Sequence, residues 1–199
     1  AVAGLNLYFL EAVQDLKEFS ALVLPGAKNS RADMHWLQKS GWAGRIRAFR
    51  DAGGHLLGIC GGYQMLGEKV SDPDGLEGDP GEIQGLGMLP VHTRLAAPKT
   101  TSRARFLWEG AAATGYEIHM GRTRRHGGSD CFRVVEENGR PVDIADGCVS
   151  KDGRVMGTYM HGLFDTPGIL EKWLARIGLE GLNVGQAHGL AARDVQYDR

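Results

Sequence analysis

The stretch "GHLLGICGGYQMLGE", Gly54 to Glu68, constrains this chain more than any other. Its opening "HLLGI" is an almost unbroken apolar run, the pattern of a short strand buried on both faces. Gly58-Ile59-Cys60-Gly61-Gly62 then has the G-x-nucleophile-x-G form of a strand-to-helix elbow. So tight a turn strains its central residue and needs glycine wherever a Cβ would clash. A helix is expected to continue through "GGYQMLGEKV". Its first amides and positive end would face the sulfur and lower the thiol pKa. The Gly61 amide can also donate to an oxyanion. The plainer alternative is a buried structural cysteine beside ordinary turn glycines. A buried strand before Cys60 and a helix after it favour the nucleophile.

The flanking sequence repeats the strand, turn, helix alternation. "LNLYFLE" (Leu5 to Glu11) and "ALVLPG" (Ala21 to Gly26) read as strands, with "AVQDLKEF" between them in helical spacing. "NSRADMHWLQKS" predicts a helix with Asn29 or Ser30 at its N-cap. Trp42, Ile46 and Phe49 recur at helical spacing, and Gly53-Gly54 would stop that helix. Such alternation predicts an α/β fold, a mostly parallel sheet flanked by helices. The pattern changes near Ser71: "SDPDGLEGDPGE" reads as a long loop, and Leu86 to Tyr159 as strand-rich. Asn138-Gly139, Asp146-Gly147 and Asp152-Gly153 supply turn signals there. A last helix has Thr166 as N-cap, Pro167 at its first position, and Leu170, Trp173, Leu174 and Ile177 on one face. The expectation is a single α/β domain with an added antiparallel section, with no internal repeat and no P-loop.

Composition excludes several function classes. At 199 residues with a formal net charge of −1, the chain lacks the basic balance of a nucleic-acid binder; "RIRAFR" and "GRTRRH" are local clusters. No apolar run reaches the ~18 residues of a membrane span, and no signal peptide opens the chain. Cys60, Cys131 and Cys148 are odd in number and lack CxxC spacing, so neither a disulfide framework nor a zinc site is implied. A reducing, cytoplasmic setting follows as the default. The first residue is Ala1 rather than Met, which suggests a piece of something longer.

A thiol nucleophile needs a base, and histidine is the usual partner. Of seven histidines, His161 stands out because "RVMGTYMHGLFD" places it directly after an apolar strand. His119 in "GYEIHMGRT" is second. His35, His55, His92, His126 and His188 read as surface or supporting residues.

Four motifs in order, "ALVLPGAKNSRADMHWLQ", "GICGGYQMLG", "GYEIHMGRT" and "GTYMHGLFD", closely resemble the glutamine amidotransferase domains of the cobyric acid synthase family. The resemblance covers nearly the whole chain. It implies a class I (triad-type) glutaminase with a flavodoxin-like sheet. Carried onto this sequence, it makes Cys60 the nucleophile and His161 the general base and acid. The amides of Gly61 and of the Pro25-Gly26-Ala27 loop would form the oxyanion hole, with Gln64 beside the substrate and Arg122 anchoring the glutamine α-carboxylate. It also implies residues 1–199 as a glutaminase domain, lacking the family's first strand and its upstream synthetase domain. The partners would be L-glutamine and a synthetase acting on a corrinoid, with no nucleic acid and no membrane. This chain would carry no cofactor and no metal; ATP and Mg would belong to the synthetase.

The sequence departs from most triad glutaminases at Leu163, where they carry a glutamate two residues beyond the histidine. His161 must then be oriented by a backbone carbonyl, a water, or a carboxylate such as Glu117 or Asp165, and slow basal glutaminase activity is expected. Other readings remain open at this point. One is a cysteine-dependent α/β-hydrolase using Asp143 or Asp146; others are an amidotransferase acting on a cell-wall lipid carboxylate and a non-catalytic or regulatory remnant.

Overall fold

The structure, a computed structural model, describes residues 2, 4–182 and 184. In chain order its elements begin with β1 (Ala21–Leu24), α1 (Ser30–Ser40), α2 (Trp42–Asp51), β2 (His55–Ile59) and α3 (Gly61–Leu66). Next come β3 (Lys69–Asp72), β4 (Gly81–Gln84), β5 (Val91–Arg94), β6 (Thr100–Trp108), β7 (Ala111–His119) and β8 (Arg122–Arg125). The remainder are β9 (Phe132–Glu137), β10 (Arg140–Asp146), β11 (Cys148–Val149), β12 (Val155–Thr158), β13 (Met160–His161), a 3-10 turn over Leu163–Asp165, and α4 (Pro167–Arg176).

The strands form three sheets, ordered β1-β2-β12-β11, β10-β9-β6-β7-β13 and β4-β3-β5-β8. In the first, β2 runs parallel to both β1 and β12. Consecutive residues of β2 point to opposite faces, so Leu56 enters a core with Met34, Trp42, Ile46 and Phe49 from α1 and α2. Leu57 enters a second core with Phe106, Phe132, Met160 and Trp173 from the five-stranded sheet and α4. Both leucines are fully buried, which is why "HLLGI" reads as a near-continuous apolar run. The α/β class expected from the sequence is the observed one. The antiparallel five-stranded sheet covers one face of the parallel core, and the third sheet is mixed, with β3 parallel to β5 and antiparallel pairs at its edges.

Most helix signals hold. Asn29 caps α1, its side chain accepting from the Ala32 amide at 2.8 Å. Thr166 precedes α4 without a side-chain cap, and Pro167 starts that helix. Two expectations fail at the N-terminal end. Residues 5–11 form no strand: Leu7, Tyr8 and Phe9 are exposed, Phe9 at 89%, with no ladder partner beside them. "AVQDLKEF" forms no helix; Asp15 instead accepts from the Lys17 amide at 3.1 Å, a local bond that competes with helix. The helix after Cys60 also stops early, at Leu66, because residues from Lys69 onward pair into the third sheet. The acidic loop after Asp72 is tied down. The buried Asp72 carboxylate accepts from the Leu76 and Glu77 amides, each at 2.8 Å, and from Arg31 at 3.2 Å.

Candidate active site

The elbow is strained where the sequence requires it. Cys60 sits at φ +54, ψ −109. Among the described residues, the other non-glycine positions with positive φ, Glu109 and Asn138, lie in the β6–β7 and β9–β10 turns. Such a backbone costs about 1–3 kcal/mol and persists only where its surroundings fix it. Here the Cys60 amide donates to the Thr158 carbonyl at 2.8 Å, and the Cys60 carbonyl accepts from the Gln64 amide at 3.1 Å. A Cβ on Gly62 would stand 2.0 Å from the Leu24 carbonyl oxygen, and one on Gly61 would stand 2.5 Å from Ala27 Cβ. Glycine thus lets the start of α3 press against β1 and the Pro25-Gly26-Ala27 loop.

Gly26 joins the two sides of the site. A Cβ built there would lie 3.7 Å from Cys60 Cβ and 3.3 Å from His161 Cε1. His161, on β13, pairs in antiparallel register with Tyr116 of β7. Its ring stacks on the Tyr116 ring, with centroids 5.0 Å apart and planes 11° apart. Two residues on, the Ile118 carbonyl accepts from the Cys60 thiol at 3.5 Å. Two further, the Met120 carbonyl accepts from the Gln64 side-chain amide at 3.1 Å. "GYEIHM" is therefore the wall facing the elbow.

Gln64 is buried and fully engaged. Its amide also donates to the Tyr159 hydroxyl at 3.2 Å, and its oxygen accepts from Ser30 Oγ at 2.5 Å. Tyr159 continues the chain to Thr123 (2.5 Å), which bonds Thr93 (2.6 Å). This polar row links α1, α3 and the third sheet behind the nucleophile, and a satisfied buried network of this kind fixes geometry.

The thiol is not acidified as the sequence suggested. Burial pushes the Cys60 pKa up, outweighing the Gly61 amide and the Lys99 charge, which pull it down; Glu77 and Glu117 push it further up. α3 spans only six residues, so its positive end is weak. The resting group is a thiol whose proton faces a carbonyl. Cys131 is pushed well up by burial, and Cys148 to about 11.

Gly26, Ala27, Cys60, Gly61 and His161 converge in space, while Gln64 lies behind them. Arg122 is exposed at the start of β8, two residues beyond Met120, and its side chain makes no bond to any described residue. Among the candidates for orienting His161, Glu117 follows Tyr116 in β7, so it faces the opposite side of the sheet. It pairs there with His119 at 3.5 Å, while His119 stacks on Tyr159 with centroids 3.6 Å apart. Asp165 lies on the turn after His161; a Cβ on Gly162 would stand 3.1 Å from its Oδ2. Leu163 is buried in the second core. Asp143 is exposed and paired with Arg133. Asp146 is buried, accepting from Thr158 Oγ1 and from the Tyr159 amide. Burial pushes its pKa up to about 6, against the Thr158 hydrogen bond. His188 lies outside the described residues. Sequence reasoning missed Tyr116 and Lys99. Tyr116 lies inside a quoted motif, but only the β7–β13 register reveals its contact with His161.

Comparisons with known proteins point to one family. The family model described as "CobB/CobQ-like glutamine amidotransferase domain" matches residues 2–168. A cobyric acid synthase of Chlorobium phaeobacteroides (strain DSM 266) is 51% identical over 167 residues, covering 82% of this chain and 33% of that protein. One of Syntrophobacter fumaroxidans is 39% identical over 211 residues, covering 98% of this chain and 41% of that protein. The chain thus spans about a third of the length of the curated relatives it matches. A crystal structure of a glutamine amidotransferase superposes with TM-score 0.58 at 19% identity, covering 81% of each chain. PurLQS from Thermotoga maritima gives 0.57 at 14%, covering 86% of this chain and 82% of that one. At these identities the two structures speak for the fold. Among the described residues, no helix is long and apolar enough to cross a membrane.

Proposed function

The chain belongs to the CobB/CobQ-like glutamine amidotransferase family, and from that premise we propose that it releases ammonia from L-glutamine through Cys60 and His161. The observation that carries this reading is the Gly26 contact, which brings His161 Cε1 and Cys60 Cβ against one point beside a strained elbow.

His161 takes the thiol proton as sulfur attacks the side-chain carboxamide, then passes it to the departing ammonia. Burial disfavours the Cys60 thiolate, so the reaction depends on a base beside the sulfur to take its proton. The developing oxyanion is held by the amides of Gly61 and of the Gly26-Ala27 turn, which the Gly61–Ala27 contact brings close together. Water admitted to the γ-glutamyl thioester gives glutamate and frees the sulfur. Gln64 acts by fixing α3 against the Met120 carbonyl, and in this reading Arg122, two residues beyond Met120, takes the glutamine α-carboxylate.

The relatives named cobyric acid synthase suggest where the ammonia goes. In this reading a synthetase portion activates carboxylates of a corrinoid with ATP and Mg and captures the ammonia, a step of cobalamin biosynthesis in the cytoplasm. The test joins the chain to such a synthetase and compares nitrogen sources. Cys60→Ser is expected to lose amidation supported by glutamine and keep amidation supported by ammonium. Equal use of glutamine by the Cys60→Ser and unsubstituted proteins would overturn the assignment.

A further inference from the structure

A second cluster of reactive side chains lies on the third sheet, apart from Cys60 and His161. Glu68 follows α3, and its backbone is pinned on both sides: its amide donates to Val91 O at 2.9 Å and its carbonyl accepts from the Gly85 amide at 2.8 Å. His92 lies in β5, opposite Lys69 of β3 in parallel register. His126 follows β8 directly, its amide donating to the Pro90 carbonyl at 3.1 Å. Sheet hydrogen bonding therefore sets all three positions before their side chains meet.

The side chains converge. His92 Nε2 lies 2.6 Å from one Glu68 carboxylate oxygen, and His126 Nε2 lies 3.1 Å from the other. The imidazole centroids are 4.9 Å apart, and one ligand atom from each of the three residues lies within 4.8 Å of the others. All three side chains are nearly half-exposed, so an ion can enter and keep water on its open side. Of the neighbouring cations, Lys69 is paired with Glu82 at 3.0 Å and Arg125 with Asp130. Arg124 lies opposite His92 in β8, so its charge would oppose an ion.

We propose that Glu68, His92 and His126 form a binding site for one divalent first-row transition-metal ion, with water completing its coordination. Two imidazoles and one carboxylate suit zinc, cobalt, nickel or copper and are a poor match for magnesium or calcium, which prefer all-oxygen shells. The ion would replace the direct imidazole–carboxylate contacts of His92 and His126 with Glu68. It would then cross-link the starts of β3 and β5 to the end of β8, at the opposite end of α3 from the nucleophile. Cysteine spacing gave no hint of this site, because Glu68 is 24 positions from His92 and 58 from His126.

The experiment titrates zinc into the chelator-treated chain carrying Cys60→Ser, which removes the nucleophile thiol as a competing zinc ligand. One equivalent is expected to bind with Kd near or below about 10 µM, and the thermal midpoint to rise with zinc. Glu68→Gln, His92→Ala and His126→Ala are each expected to weaken binding by at least about tenfold. Far-UV circular dichroism confirms that each variant is folded. Cobalt supplies a second readout: visible d–d bands without a thiolate charge-transfer band are expected. Absence of binding below about 100 µM, unchanged affinity in the folded His92→Ala/His126→Ala variant, or a thiolate band would overturn the proposal.

Discussion

The elbow that carries Cys60 is built from consecutive residues, Leu56 to Leu66, whereas the surface facing it is assembled from Gly26, Tyr116 to Met120 and His161. The first takes its shape from glycines at fixed spacing and is pinned in place by the Cys60 amide bond to Thr158 and by close packing on Leu24 and Ala27. The second exists only because β7 pairs with β13 and because Cys60 and Gln64 bond to the carbonyls of Ile118 and Met120. Local strain presents the nucleophile, and tertiary pairing presents the base. A defect in the elbow should therefore damage folding and chemistry together. A defect in the facing wall should cost chemistry while leaving the fold intact.

The largest expected effects are on chemistry. Cys60→Ala should abolish glutamine hydrolysis, and His161→Ala should lower kcat by about 10²–10⁴-fold with little change in the far-UV spectrum. A His161→Ala protein with full activity would break the comparison, since the wall would then contribute no base. Asp165→Asn is the sharper probe of the wall. We expect a loss of about tenfold in kcat with an unchanged unfolding midpoint in urea, as for a group that positions the imidazole.

For the elbow the corresponding probe is Gly62→Ala. The added Cβ meets the Leu24 carbonyl oxygen at 2.0 Å, backbone against backbone. The loss should exceed about 3 kcal/mol in urea unfolding or prevent folding. Gly44→Ala is the control. It sits exposed within α2 with nothing within 4 Å of the added Cβ, and should stabilise by about 0.5–1 kcal/mol. If both substitutions behave alike, close packing at the elbow is not what holds it.

Asp146 gives a pH test of the buried region around the end of β12, where it accepts from Thr158 Oγ1 and the Tyr159 amide. Its pKa is raised in the folded state to about 6 from 3.8, first by burial. The proton is bound more tightly by the folded chain, so its stabilising contribution is complete below pH 3.8 and lost as pH rises through 6. Asp146→Asn should remove a decline on the order of 2–3 kcal/mol across that window. The difference between the two proteins' pH–stability curves reads it directly, and parallel curves would contradict it.

How much was legible in the sequence follows the same division. Gly58, Cys60, Gly61 and Gly62 act within a few residues of one another, and their spacing alone predicted the turn that is observed. His161 was reachable because it ends a recognisable apolar strand. Tyr116, Lys99 and the Glu68–His92–His126 cluster depend on which strands become neighbours, and a single sequence does not carry that information. The N-terminal misreadings have a related cause. "LNLYFLE" has strand composition, but a strand exists only with a partner to receive its hydrogen bonds. The thiol pKa was misjudged because the helix end was counted and burial was not.

The most direct measurement of the central claim is mass spectrometry of the purified chain after exposure to 6-diazo-5-oxo-norleucine, a glutamine-like electrophile. All three cysteines are buried and all three have raised pKa values. Selective reaction therefore requires the geometry built around Cys60. One adduct mapped to Cys60, blocked by excess glutamine and strongly reduced in His161→Ala, is the predicted result. No adduct, or equal labelling of Cys60, Cys131 and Cys148, would contradict the account.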